Sequence, residues 1–417
     1  MLAPYRSILA RPGAFPFSAL GLFARLEIAM VGLGLVLLVQ RTTGSYALGG
    51  AAAGTFGICS ALASPAVARL ADRFGQARLL RVAAPIHGLL IVAVVLLAVL
   101  GAPFVLVLIG AGLAGVTQVS VGALVRARWA LILDGRDLQV AFALESVLDE
   151  VVFVAGPIAV TLLAALVHPA VGLLLAAVTA VVGSLLLAGQ HRTQPPIGDG
   201  APHPEHARGP VLRMRGILVL VAVFAAAGGI FGSAEVSVAA LAKAAGVPAA
   251  AGVVLALWAT GSMLGGLVYG AIRWRGRMHR RFAVVAVLLA VLTMPMALVP
   301  PIPLLAGIFF VAGIAIAPVI ATGSTLVETL IPRERLTEGL AWTNTALSLT
   351  YALSAGVAGA VIDRAGPGAG FVVPAAAAFA VGVLALLGLP RLAPPTRGER
   401  IGPCADSSPT RPALPSP

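Results

Sequence analysis

Long apolar runs alternate with short polar connections along this chain, and the alternation repeats twelve times. A spanning helix needs about 20 mostly apolar residues, because each residue rises ~1.5 Å through a hydrocarbon core of about 30 Å. Runs of that kind fall near Phe17–Val39, Ala47–Ala68, Leu79–Leu100, Phe104–Val125, Val140–Leu166 and Ala170–Leu187. They recur near Gly216–Leu241, Ala249–Ile272, Phe282–Val299, Leu304–Val327, Gly339–Ile362 and Gly370–Leu387. Barrel strands would alternate in character over about 10 residues, and these runs do not. In lipid, a segment must satisfy its own backbone amides, so helices are the expected form. The predicted class is all-α: a polytopic membrane protein with twelve transmembrane helices, numbered here as spans 1 to 12.

The connections are not equivalent. Arg69, Arg73, Arg78 and Arg81 share one; Arg126, Arg128 and Arg136 share the next of that parity. Arg192, Arg208, Arg213 and Arg215 follow, then Arg273, Arg275, Arg277, Arg280 and Arg281, then Arg333 and Arg335. The intervening connections carry only Arg41, Lys243 and Arg364. Basic residues retained on one side of a bilayer produce this pattern, which places the arginine-rich connections and both termini in the cytoplasm. With 59% hydrophobic and 11% charged residues, the chain suits lipid as its solvent. A soluble domain carries about 25% charged residues. The net charge of +12 then belongs to loops facing anionic headgroups, and nucleic acid is not an expected partner. A single lysine among abundant Arg, Ala and Gly points to a bacterial cell membrane. The N-terminal run resembles a signal peptide in its flanking charges, but its length and its internal Arg25 and Glu27 mark a retained first span. Cys59 and Cys404 form no disulfide framework, and neither a metal nor a cofactor is expected.

Residues 190–215 are polar and rich in proline, and they separate two six-helix units at 1–189 and 216–390; a Pro-rich tail predicted to be disordered occupies 391–417. Gly44 opens the turn before span 2 and Gly246 the turn before span 8, a weak internal echo of the kind duplication leaves. Small residues such as Gly110, Gly112 and Gly115, or Gly356 and Gly359, suit close helix packing.

Between spans 2 and 3 the chain reads Ala68-Arg69-Leu70-Ala71-Asp72-Arg73-Phe74-Gly75-Gln76-Ala77-Arg78. This resembles the signature loop of the major facilitator superfamily, Gly-x-Leu-x-Asp-Arg-x-Gly-x-x-Arg, with Ala68 in place of the first glycine. The resemblance implies two pseudo-symmetric six-helix bundles working by alternating access. It also implies that Asp72 and Arg73, with Gly75 for the turn and Arg78 in support, latch the bundles together at the cytoplasmic face. The second-half counterpart places Trp274 where the acid would fall. Span 4 lacks the arginine of many proton-coupled members and carries Thr117, Gln118 and Ser120 instead.

A charge inside the bilayer costs about 2.5–3.5 kcal/mol on insertion scales, so each one calls for an explanation. Span 1 holds Arg25 and Glu27; span 5 holds Glu145, Asp149 and Glu150; span 7 holds Glu235; span 3 holds His87. Arg25 and Asp149 lie at similar depth, roughly 14 Å in by helical rise, and Glu145 shares a face with Asp149. An ion pair from Arg25 to either carboxylate is expected. Two readings of these charges stand side by side: a network that holds the first bundle together, or a proton-coupling site. The resemblance puts spans 1, 4, 7 and 10 on the central cavity, which favours Glu27 and Glu235 for coupling, then Asp149. Thr117, Gln118, Trp258 and Asn344 are the candidates for substrate contact. His87 reads as a packed, hydrogen-bonded residue.

No phosphate-binding loop Gly-x-x-x-x-Gly-Lys is present, and no aspartate or His/Cys cluster suits an enzyme site. The reading is therefore a monomeric secondary transporter that moves a small amphipathic molecule, coupled to protons, with export as the leading direction. Uptake by symport and a non-transporting receptor on the same fold are the alternatives.

Overall fold

The structure, a computed structural model, describes residues 3–195, 212, 214, 216–272, 276–331 and 336–393. Most of the 190–215 connector, the tail beyond 393, and Arg273, Trp274 and Arg275 lie outside the described residues, as does the side chain of Asp72. Twelve helices long and apolar enough to cross a membrane are found: Ala14–Thr43, Tyr46–Ala71, Gln76–Val99, Phe104–Ile132, Val140–Leu166, Pro169–Ala188, Ile217–Ala244, Ala250–Gly270, Met278–Leu298, Ile302–Leu330, Trp342–Ala365 and Pro367–Leu392. Among the described residues there is no strand.

Span 4 departs from the sequence reading. It continues past Val125 to Ile132, so Arg126 and Arg128 are helical rather than loop residues. Arg128 is fully buried: Nε donates to Gln76 Oε1 (2.8 Å), Nη1 to the Gln190 carbonyl (2.9 Å) and Thr193 Oγ1 (3.2 Å), and Nη2 to the Leu187 carbonyl (3.2 Å). The last carbonyls of a helix lack the usual i+4 partner, and a cation at the end of span 6 adds a donor there and opposes the helix dipole. That is why a charge read as lipid-facing sits inside the protein.

Three spans are interrupted. Span 1 breaks at Leu26–Glu27, span 4 at Gln118–Ser120 and span 10 at Ile314–Ala315. Irregular backbone at membrane depth is tolerated where it lines a cavity or is covered by protein.

The halves meet through span 2 on span 11 and span 5 on span 8, and small residues set the spacing. A Cβ on Gly50 would stand 2.5 Å from the Ala355 carbonyl oxygen, and one on Gly54 2.8 Å from that of Ala352. Across the molecule, a Cβ on Gly252 would stand 2.8 Å from the Pro157 carbonyl oxygen. These contacts all lie toward the end bearing the Gly44, His168, Gly246 and Gly366 turns, opposite the arginine-rich loops. Beyond them span 2 is no longer covered by the other half, with Leu62, Pro65, Ala66 and Ala68 exposed and Ser64 on the central cavity. The bundles thus close at the arginine-poor end and diverge toward the arginine-rich one.

Candidate functional site

Between the diverging bundles lies a cavity of about 620 Å³. That is within the ~300–1,000 Å³ of small-molecule sites. Phe56, Phe153, Phe231, Trp258 and Tyr351 supply aromatic wall, and Ser60, Gln118 and Ser120 supply polar groups from spans 2 and 4. Two carboxylates face it, Glu150 from span 5 and Glu235 from span 7. Phe231 and Phe309 stack edge-on against Trp258 at 5.5 and 5.2 Å between centroids, which fixes the indole on the second-half wall.

The two acids differ from the other intramembrane acids in their partners. Glu235 accepts a hydrogen bond from the Tyr351 hydroxyl of span 11. Glu150 has no hydrogen bond or ion pair among the described residues. By contrast, Glu145 is completely buried and fully matched. It pairs with Arg25, and its Oε1 accepts from Ser18 Oγ and Trp129 Nε1, both at 2.8 Å. Asp149 pairs with Arg25 (2.7 Å) and Arg126 (2.6 Å). Arg25 also donates from Nε to the Gly21 carbonyl (3.1 Å). The expected ion pair is therefore present twice over, and it lies inside the first bundle rather than on the cavity.

Glu27 sits at the break in span 1 and is buried, and it stands one residue away from the cavity wall. Its Oε2 lies 2.7 Å from His87 Nε2, and its Oε1 accepts from Gln118 Nε2 at 2.9 Å. His87 Nδ1 lies 2.9 Å from the Ala114 carbonyl, and Ser60 Oγ donates to Gln118 Oε1 at 2.5 Å. A hydrogen-bonded chain thus runs from the cavity through Ser60 and Gln118 to Glu27 and His87. The breaks in spans 1 and 4 face each other across this chain, so a backbone irregularity in each positions one member.

Of the substrate-contact candidates, Gln118 and Trp258 line the cavity. Thr117 does not; its hydroxyl bonds back to the Leu113 and Ala114 carbonyls and faces a small cleft beside Glu27 and His87. Asn344 is exposed and lies outside the lining, about two helical turns toward the arginine-rich end from Tyr351. The expected loop between spans 2 and 3 is a single residue: Gly75, at φ 83°, a region open to glycine, separates helices Tyr46–Phe74 and Gln76–Val99, and Arg73 and Arg78 lie over the Phe74 ring at 5.2 and 5.6 Å.

Three residues placed at the cavity or between the bundles escape the sequence reading. Tyr351 is a lone polar tip in an apolar run. Glu150 is noticed there only as one of three acids. Asp363, at the far end of span 11, accepts from the backbone N–H of Tyr46 (3.0 Å) and Ala47 (2.9 Å) and from Ser45 Oγ (2.5 Å), so one bundle caps the first turn of a helix in the other. Lys243 of span 7 joins it by donating to Gln40 Oε1 of span 1.

The family model described as Major Facilitator Superfamily matches residues 17–278 and 236–409. No curated protein matches the chain in sequence. Similar solved structures include the nucleoside transporter NupG, at TM-score 0.68 and 14% identity over 92% of this chain and all of that one. An auto-inhibited POT family peptide transporter gives 0.69 and 13% over 96% of this chain and 99% of its own. A bacterial metal transporter gives 0.64 and 15% over 91% and 99%. At such identities the likeness shows the fold, while the family match runs through both halves. This chain belongs to the major facilitator superfamily.

Proposed function

We propose that the protein exports a small amphipathic molecule from the bacterial cytoplasm in exchange for protons, as a monomer with both termini in the cytoplasm. The observation that carries this reading is the central cavity with its two carboxylates that lack a cationic partner. An uncompensated acid in a desolvated site is costly to keep ionised, and exposure to one aqueous side and then the other changes its proton occupancy. Glu235 is the foremost coupling residue. Ionised, it accepts from Tyr351; protonated, it can donate in turn, and both residues lie where spans 7 and 11 must move relative to the first bundle. Glu27, with His87 and Gln118 around it, is a second proton site reached through the hydrogen-bonded chain. Asp149 is matched by two guanidinium groups and belongs to the structural network. With the arginine-rich end taken as cytoplasmic, the cavity opens inward, and the Asp72–Arg73 latch at that end belongs to the opposite, outward-open state.

Reconstituted vesicles test the coupling. Glu235→Gln is expected to abolish pH-gradient-driven flux while sparing substrate exchange at equal pH. Full gradient-driven flux in both Glu235→Gln and Glu27→Gln would end the proton assignment. Reporter fusions at Gly276 and Gly366 should report opposite sides of the membrane, with Gly276 cytoplasmic.

A further inference from the structure

We propose that the central cavity selects an amphipathic cation, and that Glu150 is the residue that reads its charge. The proposal rests on the cavity being the transport site and goes on to name the class of substrate. Four observations point the same way. First, the intramembrane carboxylates fall into two groups. Glu145 and Asp149 have guanidinium partners, and Glu27 has His87 and Gln118. Glu235 has only the Tyr351 hydroxyl, and Glu150 has neither hydrogen bond nor ion pair among the described residues. Second, the described lining contains no lysine, arginine or histidine, so the two acids meet no internal counter-charge there. Third, the lining carries five aromatic side chains, whose π faces attract cations held in a water-poor site. Fourth, the cavity is bounded by residues of both bundles, so closing around a substrate removes Glu150 from water.

The alternatives fare worse on the same observations. An anion would meet two carboxylates of its own sign. A neutral molecule would supply no partner for Glu150 when the bundles close, so its carboxylate would have to take up a proton and could read no charge. A cation with an apolar body fills the aromatic wall and supplies the partner Glu150 lacks. Glu235, engaged by Tyr351, is left for the proton.

The test uses the purified full chain in detergent and two ions of nearly the same shape, tetraphenylphosphonium and tetraphenylborate, titrated separately by calorimetry. Tetraphenylphosphonium should bind saturably and tetraphenylborate should not. Glu150→Gln should weaken tetraphenylphosphonium by about 10-fold or more, as loss of a desolvated charge partner does, and Glu150→Asp should retain most of the affinity. Equal binding of the two ions by the wild-type chain overturns the proposal without relying on any variant. Wild-type affinity in a folded Glu150→Gln protein, checked by its melting temperature, overturns it as well. The transport reading is judged separately by counterflow in vesicles. Charge-selective, Glu150-dependent binding without counterflow keeps the cation site and removes transport. Counterflow of a neutral or anionic compound that is indifferent to Glu150→Gln keeps transport and removes the cation site.

Discussion

Arg25 and Glu150 show how far a charged residue's neighbours decide what it does. Both lie in apolar spans, and a sequence flags both as expensive. Arg25 is 1% exposed, with Nε, Nη1 and Nη2 all engaged, so its cost is offset by partners that hold spans 1, 4 and 5 together. Glu150 has no such partner. The two should therefore respond oppositely to neutralisation. Arg25→Met leaves Glu145 buried without its counter-charge and should cost about 3–5 kcal/mol, seen as a marked drop in melting temperature in detergent. Glu150→Gln should leave the melting temperature of the ligand-free protein unchanged or raise it. The Arg25 pairing was readable in advance, because equal depth and one-turn spacing are properties of single helices. The Glu27–His87–Gln118 chain was not, since it joins spans 1, 3 and 4 and depends on breaks that no helix signal marks.

Helices in lipid associate by fit, and the fit here is set by small residues. Gly50 and Gly54 let span 2 press its backbone on span 11 at the arginine-poor end, while Gly252 does the same for span 8 on span 5. A bulky side chain at Gly54 cannot be accommodated by a neighbour's rotamer change, because the obstructing atom is a backbone oxygen 2.8 Å from the added Cβ. Gly54→Leu is thus expected to hold that end open. Paired spin labels on Thr42 and Arg364 should then report a longer mean distance than in the parent, and an unchanged distribution would show that span 2 tolerates the bulk. Gly356 and Gly359 were recognised beforehand as packing residues. Their partners were not, since the motif marks a helix face without naming what covers it.

At the level of the entire transporter, the proposed transport cycle gives the two ends opposed closures. Asp363 caps the first turn of span 2 at one end, with Lys243 and Gln40 alongside. Asp72 and Arg73 lie in the last helical turn at the other, with Arg73 and, from the following helix, Arg78 resting on Phe74 where the bundles diverge. Removing the charge from either side should tilt the balance between states in opposite directions. Asp363→Asn weakens a cap worth about 1 kcal/mol, which is roughly fivefold in the population ratio, toward the form open at the arginine-poor end. Asp72→Asn should favour the form open at the arginine-rich end. Both shifts are measurable by double electron–electron resonance, and if the two variants move the distribution the same way, the opposed closures are misassigned.

The number of crossings, their helical nature and the bias of basic loops follow from residue composition within windows of about 20 residues, because the bilayer acts on each segment separately. The motif between spans 2 and 3 was legible for a related reason: its residues are contiguous. Which acids stand alone is a different kind of fact. Glu145, Asp149 and Glu150 are near neighbours on one helix, yet the first two face guanidinium groups from spans 1 and 4 and the third faces a cavity. Their separate fates are settled by how span 5 is rotated against spans brought to it from elsewhere in the chain, and that rotation exists only once the bundles are packed.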